Sequence, residues 1–235
     1  MENRTVKTEN HFSKSPVDDA PLVEIEHVEL GVQNSVAAIL WLNRPEALNA
    51  LSWKLVLAIG QALKEVEADE RVRTVLITGR GRAFSAGGDL VSYVELQQSP
   101  TDFAQFVDDF HAVFGAIRLM PKPVVALVNG YCVAGGLELL LWCDFAYMAE
   151  SASIGDSHLN YGQMGGGGVL ALLPRIIGPA RARELTLSGR RLSSKEAWDW
   201  GLVNRVLPDE ELLDAGLEFA RLAAAKSALG SANAK

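Results

Sequence analysis

Two glycine-rich segments of the chain could hold backbone N–H groups beside a substrate. Residues 84–89 read Phe-Ser-Ala-Gly-Gly-Asp, and residues 129–136 read Asn-Gly-Tyr-Cys-Val-Ala-Gly-Gly. Glycine lets the backbone approach a ligand closely, and two converging N–H groups stabilise the negative oxygen of an enolate or a tetrahedral intermediate. Taken alone, either segment is equally typical of a tight turn that only packing requires.

One carboxylate follows the second glycine segment in otherwise apolar surroundings. Glu138 lies between Leu137 and an apolar run at 139–142, so a helix there would bury it. Burial disfavours the charged carboxylate and raises its pKa toward the range that general acid–base catalysis needs. The alternative interpretation is a glutamate that binds the free N–H groups at the start of its own helix.

Each glycine segment lies between a predicted strand and a predicted helix. The apolar runs at 72–78 and Val124–Val128 predict buried strands, and helices are predicted at 103–119 and 137–143. Strand–helix alternation is typical of α/β folds with a parallel sheet. In such folds ligands bind at the carboxyl ends of the strands, so we expect the two segments to meet there.

The rest of the chain predicts more of the same alternation. Residues 22–30 alternate apolar and charged side chains like a half-buried strand, Val36–Leu42 predicts its partner, and Ser52 predicts the cap of a helix that runs to about Ala68. The remaining predictions are strands at 145–148 and 203–206, a long polar loop at 153–168, and helices at 181–187, 194–200 and about 210–225.

Composition limits the classes of function. The chain has 235 residues and a net charge of −7, which favours one α/β domain and argues against nucleic-acid binding. No apolar stretch approaches the ~20 residues that cross a bilayer, so no membrane association is expected. Cys132 and Cys143 are too few for a disulfide framework, which indicates a reducing compartment, the cytoplasm. Residues 1–20 read as a flexible polar tail.

Several motifs occur together in a characteristic order. They are Leu-Asn-Arg-Pro-Glu-Ala-Leu-Asn-Ala-Leu at 42–51, Ala-Phe-Ser-Ala-Gly-Gly-Asp-Leu at 83–90, the segment 129–138, Pro-Arg-Ile-Ile-Gly at 174–178 and Gly-Leu-Val-Asn-Arg-Val at 201–206. In these motifs the chain closely resembles the crotonase (enoyl-CoA hydratase/isomerase) superfamily over residues 22 to 220. The resemblance implies an α/β fold, a crotonase-like spiral of repeated ββα or βαβ turns. Its core domain would be 21–208, and 209–235 would form the first part of a C-terminal helical region that is longer in other members of the family.

The resemblance also implies where a substrate would bind. It assigns the two oxyanion-hole amides to Gly88 and Gly135 and a hydratase-type glutamate to Glu138. Five residues match positions that line the path of coenzyme A in the family: Ala47, Leu48, Ala86, Asp89 and Leu90. No metal and no permanently bound cofactor are expected, because coenzyme A arrives as part of the substrate.

The chain departs from the family pattern at three places. Hydratases of the family carry a second glutamate about twenty residues after the first, and His158 stands at that position. Histidine can also transfer a proton, and Asp156 would orient its ring if the stretch is extended; the alternative is a histidine that only shapes the pocket. Glu46 stands where a lysine is frequent, and the chain stops at Lys235 after a single predicted terminal helix.

The leading functional hypothesis is hydration of an enoyl-CoA, or dehydration of a 3-hydroxyacyl-CoA, in fatty acid metabolism. Glu138 and His158 would transfer the protons. The alternative within enzymes is an isomerase, a C–C hydrolase or lyase, or a decarboxylase that acts on an acyl-CoA. A hypothesis of another class is a non-catalytic acyl-CoA-binding or assembly subunit. The expected assembly is a homotrimer or a dimer of trimers.

Overall fold

The computed structural model describes residues 20–235. The predicted tail at 1–20 therefore falls almost wholly outside the described residues. Ten strands and nine α-helices are assigned within the described part of the chain.

A six-stranded sheet forms the larger layer. Its strands are β1 (Val23–Glu29), β2 (Val36–Leu42), β3 (Val72–Gly79), β5 (Val124–Val128), β7 (Phe145–Ala149) and β10 (Arg205–Leu207), in that spatial order. Strands β1 and β2 form an antiparallel pair, and the other neighbours are parallel. Strands β2, β3 and β5 are almost entirely buried, because helices or loops cover both faces of a parallel sheet.

A smaller sheet lies beside it. Its strands are only three residues long: β4 (Ala83–Ser85), β6 (Tyr131–Val133), β8 (Ser153–Gly155) and β9 (Arg191–Ser193), in the order β4-β6-β8-β9. Each of β3, β5 and β7 continues directly into β4, β6 or β8 before the chain turns into a helix. The chain therefore repeats a ββα turn, which confirms the predicted spiral.

The helices pack around these two sheets. They are α1 (Trp53–Ala68), α2 (Leu90–Leu96), α3 (Pro100–Leu119), α4 (Gly135–Trp142), α5 (Val169–Ile177), α6 (Pro179–Ser188), α7 (Ser194–Asp199), α8 (Leu212–Ala224) and α9 (Ala228–Ala234). Ser52 caps α1 by accepting a hydrogen bond from the Leu55 N–H, as predicted. No helix in the described part of the chain is both long enough and apolar enough to cross a bilayer.

Three predictions about the elements were wrong. The predicted loop at 153–168 contains β8 and a 3₁₀ helix at His158–Tyr161. The chain ends in two helices, α8 and α9, instead of one, and Lys235 binds the carbonyl oxygens of Ile117 and Lys122 at 3.0 Å each. Helix α3 starts three residues early, because Ser99 caps it and Pro100 takes the first position, where its missing N–H costs nothing.

Two asparagines brace the loops that follow the strands. The Asn49 side chain donates hydrogen bonds to the Ala83 and Arg80 carbonyl oxygens at 2.7 and 3.0 Å and accepts one from the Arg44 N–H. The Asn129 side chain donates to the carbonyl oxygens of Gly79 and Gly81 at 2.8 and 3.0 Å. These bonds fix the ends of β3 and β5 relative to the loops that lead into the small sheet.

Candidate active site

The first glycine segment is held against the loop before α1. Leu51 donates its N–H to the Gly87 carbonyl at 2.7 Å and accepts the Asp89 N–H at 3.2 Å. This parallel β-bridge uses the Gly87 carbonyl and the Asp89 N–H, which flank Gly88. The N–H of Gly88 itself therefore points away from Leu51. Gly87 has a φ of 92°, a backbone conformation that residues with a side chain rarely adopt.

The second glycine segment starts α4 after a strained residue. Ala134 has φ 49° and ψ −118°, and its N–H donates to the Gly155 carbonyl at 3.0 Å. Such strain persists only where the surrounding structure holds it, and here it sets the direction of the next amide. Gly135 is the first residue of α4, so its N–H has no acceptor within its own helix.

The two glycines come together at one wall of a cavity. A Cβ atom built on Gly135 would lie 3.4 Å from the Gly88 nitrogen, so the two amides are neighbours. Neither amide donates a hydrogen bond to any group within residues 20–235. Both line a cavity of about 850 Å³. Two unused N–H groups at such a wall can bind a developing negative oxygen.

The cavity also collects the residues expected along the coenzyme A path. Ala47, Leu48, Ala86, Asp89 and Leu90 all line it. The Asp89 carboxylate accepts hydrogen bonds from Arg44 Nη1 at 3.0 Å and from the Ser92 N–H at 3.2 Å, so it holds the start of α2. Burial raises the pKa of Asp89, but these bonds outweigh burial and keep it below its usual value. Glu46 lines a different cavity.

Glu138 is buried at the inner end of the cavity, with 3% of its surface exposed. Its Oε1 accepts hydrogen bonds from the N–H groups of Gly167 and Val169 at 2.6 and 3.3 Å. It therefore caps the start of α5, a different helix from its own, which corrects the alternative that it binds its own helix start. Gly167 passes so close that a Cβ there would lie 2.5 Å from Oε2. Burial raises the pKa of the Glu138 carboxyl, against the opposing effects of His158 and the two N–H groups.

His158 faces Glu138 from the opposite side of the cavity's inner end. Its Nε2 lies 3.7 Å from Glu138 Oε2, and its Nδ1 lies 2.6 Å from Asp156 Oδ1. The predicted contact between Asp156 and His158 is present, although β8 ends at Gly155 and His158 starts a 3₁₀ helix. Burial lowers the pKa of the imidazole, but the Asp156 hydrogen bond and the Glu138 charge outweigh it and raise that pKa.

Asp156 stays ionised at the back of this pair. Its Oδ2 accepts a hydrogen bond from the Thr186 hydroxyl at 2.6 Å. Burial raises the pKa of Asp156, but the hydrogen bonds from His158 and Thr186 outweigh burial and lower it. Glu138, His158 and Asp156 thus form a row in which the imidazole lies between two carboxyl groups. The row can accept a proton at one end and supply one in the middle.

A second cavity of about 330 Å³, with several aromatic side chains in its wall, begins at the same two side chains. Helix α3 supplies Phe103, Phe106 and Phe110 to its wall, and α2 supplies Tyr93. Glu138, His158 and Tyr93 line both cavities, so the proton-transfer groups lie at their junction. An extended molecule could therefore pass from one cavity to the other across that junction.

Four residues of the site and its surroundings escaped the sequence-based predictions: Arg82, Tyr93, Thr186 and Arg191. Arg82 and Arg191 line the larger cavity, and the Arg191 guanidinium lies 4.6 Å from the centre of the Tyr131 ring. No periodic pattern identifies such residues, because they come from elements distant in sequence. Cys132 is fully buried in β6, where burial raises the pKa of its thiol. Residues 20–235 contain no cluster of three or more His, Cys, Asp or Glu side chains arranged to hold a metal.

Comparison with known proteins extends these observations. The profile of the family described as "Enoyl-CoA hydratase/isomerase" matches residues 31–235. A probable enoyl-CoA hydratase of Mycobacterium bovis is 37% identical over 175 residues, which are 74% of this chain and 66% of that protein. The mitochondrial enoyl-CoA hydratase of Pongo abelii is 34% identical over 203 residues, 86% of this chain and 69% of that protein. The chain thus spans about two thirds of the length of these relatives.

Solved structures agree with the sequence comparison. An enoyl-CoA hydratase from Bacillus anthracis superposes with a TM-score of 0.83 at 31% identity, over 91% of this chain and 80% of that one. A monofunctional enoyl-CoA isomerase from Mycobacterium smegmatis superposes with a TM-score of 0.75 at 30% identity, over 92% and 90%. As its motifs predicted, the chain belongs to the enoyl-CoA hydratase/isomerase, or crotonase, family.

Proposed function

We propose that the protein adds water across the double bond of a 2-enoyl-CoA and catalyses the reverse dehydration of a 3-hydroxyacyl-CoA. The observation that carries this proposal is the 3.7 Å approach of Glu138 Oε2 and His158 Nε2 at the junction of the two cavities. A second support is the pair of unused amides, Gly88 and Gly135, in the same wall. Relatives named as hydratases point the same way.

The addition step uses Glu138 as the general base. Glu138 takes a proton from a water molecule, and the water oxygen forms a bond to Cβ of the enoyl group. The electron pair of the C=C bond moves toward the thioester, whose oxygen becomes an enolate. The amides of Gly88 and Gly135 donate hydrogen bonds to that oxygen, and fixed donors of this kind stabilise the transition state without reorganisation.

The protonation step uses His158 as the general acid. His158 gives its proton to Cα, and the enolate collapses to the 3-hydroxyacyl thioester. Glu138 is then protonated and His158 is neutral, and the 3.7 Å separation allows the proton to return to the imidazole. Asp156 accepts the hydrogen bond from Nδ1, which fixes the ring and favours its charged form. No permanently bound cofactor takes part in these steps.

Coenzyme A would lie in the larger cavity, with its acyl group in the smaller one. Arg82 and Arg191 line the larger cavity and supply cations for the phosphate groups. These two arginines would take the place of the lysine that is frequent in the family at the position of Glu46. We extend the proposal to the assembly and the location of the protein: a homotrimer or a dimer of trimers that acts in the cytoplasm. Light scattering on the purified protein would measure the number of subunits.

The test is the absorbance of conjugated enoyl-CoA thioesters of increasing chain length, with wild type and Glu138→Gln. Glutamine retains an oxygen that can accept the Gly167 N–H, so the variant should fold while kcat falls by roughly 10²- to 10⁴-fold. Glu67→Gln changes an exposed carboxyl of α1 and should leave kcat unchanged. Full activity in Glu138→Gln would overturn the proposal.

Isomerisation is the second candidate, favoured by His158 at the second glutamate position and by the solved isomerase. Here one group would remove a proton at one carbon and another would return it two carbons away. Product mass separates the two reactions, because hydration adds one water and isomerisation leaves the mass unchanged. Tight acyl-CoA binding without turnover would instead favour a non-catalytic acyl-CoA-binding or assembly subunit.

A further inference from the structure

The phenol of Tyr93 lies beside the wall that contains the two unused amides. Tyr93 is in the first turn of α2, where its N–H donates to the Asp89 carbonyl at 2.9 Å. A Cβ atom built on Gly88 would lie 2.7 Å from the Tyr93 hydroxyl oxygen, so the phenol covers Gly88 directly. Tyr93 also lines both cavities. Its hydroxyl is therefore at the point where an acyl thioester would cross from one cavity to the other.

Packing restricts where this hydroxyl can point. The Tyr93 ring contacts the Phe106 ring at a centroid distance of 5.3 Å and an angle of 60°. The start of α2 is held by the ion pair between Asp89 and Arg44 at 3.0 Å. Because both the ring and its helix are supported, the hydroxyl keeps its place over Gly88 without a bond of its own.

The hydroxyl is a free donor in an otherwise satisfied region. Tyr93 is partly buried and lines both cavities, and within residues 20–235 its hydroxyl makes no hydrogen bond. Burial and the negative charges of Glu138 and Asp89 raise the pKa of the phenol. The group therefore remains protonated and can donate a hydrogen bond to a negative oxygen.

We propose that the Tyr93 hydroxyl donates a third hydrogen bond to the thioester oxygen of the bound acyl-CoA, beside the amides of Gly88 and Gly135. This rests on the proposed acyl-CoA function. No covalent bond forms or breaks at Tyr93; the hydrogen bond strengthens as the oxygen becomes an enolate. The role is stabilisation of the transition state more than binding of the ground state.

The experiment compares wild type, Tyr93→Phe and the control Tyr147→Phe. The control removes the same atom from a buried tyrosine of β7 that lines neither cavity. Tyr93→Phe should lower kcat about 10- to 100-fold with little change in KM, as expected for a hydrogen bond to a charged group. Tyr147→Phe should retain wild-type kcat.

A spectroscopic measurement distinguishes this role from a structural one. Butyryl-CoA labelled with ¹³C at the thioester carbonyl cannot be hydrated and reports the hydrogen bonds to its oxygen by infrared absorption. Its carbonyl frequency should be higher in Tyr93→Phe than in wild type, since one donor is lost, and unchanged in Tyr147→Phe.

Three results would overturn the role of Tyr93: an unchanged carbonyl frequency, an unchanged kcat, or a Tyr93→Phe variant that fails to fold. The last would show that the hydroxyl serves the protein's own structure. Absence of hydration by wild type would contradict the proposed function, while the infrared shift would still decide whether Tyr93 contacts the thioester.

Discussion

At the scale of single residues, Glu138, His158 and Asp156 place an imidazole between two largely buried carboxyl groups. Burial alone would neutralise all three. Neighbours oppose burial at each group. At Glu138 they are His158 and the Gly167 and Val169 amides, and burial still raises the pKa of that carboxyl. At His158 and Asp156 the mutual hydrogen bond, aided by Glu138 and by Thr186 respectively, outweighs burial. The charge on His158 is what the proposed protonation of Cα requires.

The pH dependence of kcat/KM follows from these shifts. The proposed mechanism needs Glu138 ionised and His158 protonated, so activity falls on the acid side as Glu138 gains a proton and on the alkaline side as His158 loses one. Both pKa values are raised, so both limbs should lie above the usual carboxyl and imidazole values. Asp156→Asn weakens the hydrogen bond to His158 and removes one of the two charges that raise the His158 pKa, so it should move the alkaline limb to lower pH.

Thr186→Val is the matched control for the pH profile. It removes the hydrogen bond to Asp156 but leaves the carboxylate beside His158, so the alkaline limb should move less than in Asp156→Asn. Steady-state rates across the pH range, with stability checked at each pH, provide the measurement. An alkaline limb that stays in place in Asp156→Asn would show that His158 is not the acid.

At the scale of elements, the start of α4 brings two consecutive glycines into different surroundings. A Cβ on Gly135 would meet a flexible end of Leu51 at 3.1 Å and the Gly88 nitrogen at 3.4 Å. A Cβ on Gly136 would lie 2.3 Å from the Ser85 carbonyl oxygen, which belongs to strand β4 and cannot move alone. One glycine thus leaves room at the cavity wall, and the other permits a helix to contact the small sheet.

Alanine substitutions should separate these two needs. Gly135→Ala should fold but lose about 10²-fold in kcat/KM, because its methyl group occupies space beside the proposed oxyanion donors. Gly136→Ala should lose about 1–3 kcal/mol of unfolding free energy, because it overpacks the contact with Ser85. Urea denaturation and enoyl-CoA hydration assays measure both effects. A fully active Gly135→Ala, or a Gly136→Ala as stable as wild type, would contradict this assignment.

Elements with a clear period could be predicted from the sequence. Helix α1 and strands β2 and β5 appear where hydrophobic spacing and caps placed them. The strands β4, β6, β8 and β9 could not be predicted, because three residues are too short to define a period. Helix α2 escaped prediction because it buries none of its residues fully, so its apolar residues form no core-facing stripe.

The site shows the same division between local and distant information. The burial of Glu138 followed from its apolar neighbours, and the Asp156–His158 contact followed from a separation of two residues. The cap that Glu138 provides to α5 joins residues 29 positions apart, and Thr186 reaches Asp156 from 30 positions away. Such contacts depend on how the spiral closes, which no local pattern determines.

At the scale of the whole molecule, an acidic protein presents cations where an anionic ligand would enter. The net charge is −7, yet exposed Arg82 and Arg191 line the larger cavity. A long-range field of this sign would repel coenzyme A, so local contacts with its phosphates must supply the attraction. Those contacts are partly exposed and should weaken as salt is added.

Binding of an acyl-CoA should therefore stabilise the fold in a way that depends on these cations. A ligand at a hundred times its Kd adds about 2.7 kcal/mol, which for a chain of this size raises Tm by about 5–10 °C. Butyryl-CoA should produce this shift, whereas butyryl-pantetheine, which keeps the thioester but lacks the phosphates, should produce a smaller one. Arg191→Gln should reduce the shift with butyryl-CoA and leave the shift with butyryl-pantetheine unchanged. Equal shifts with the two ligands in wild type would mean that the phosphates add nothing to binding, and would contradict the role of Arg82 and Arg191 as phosphate contacts.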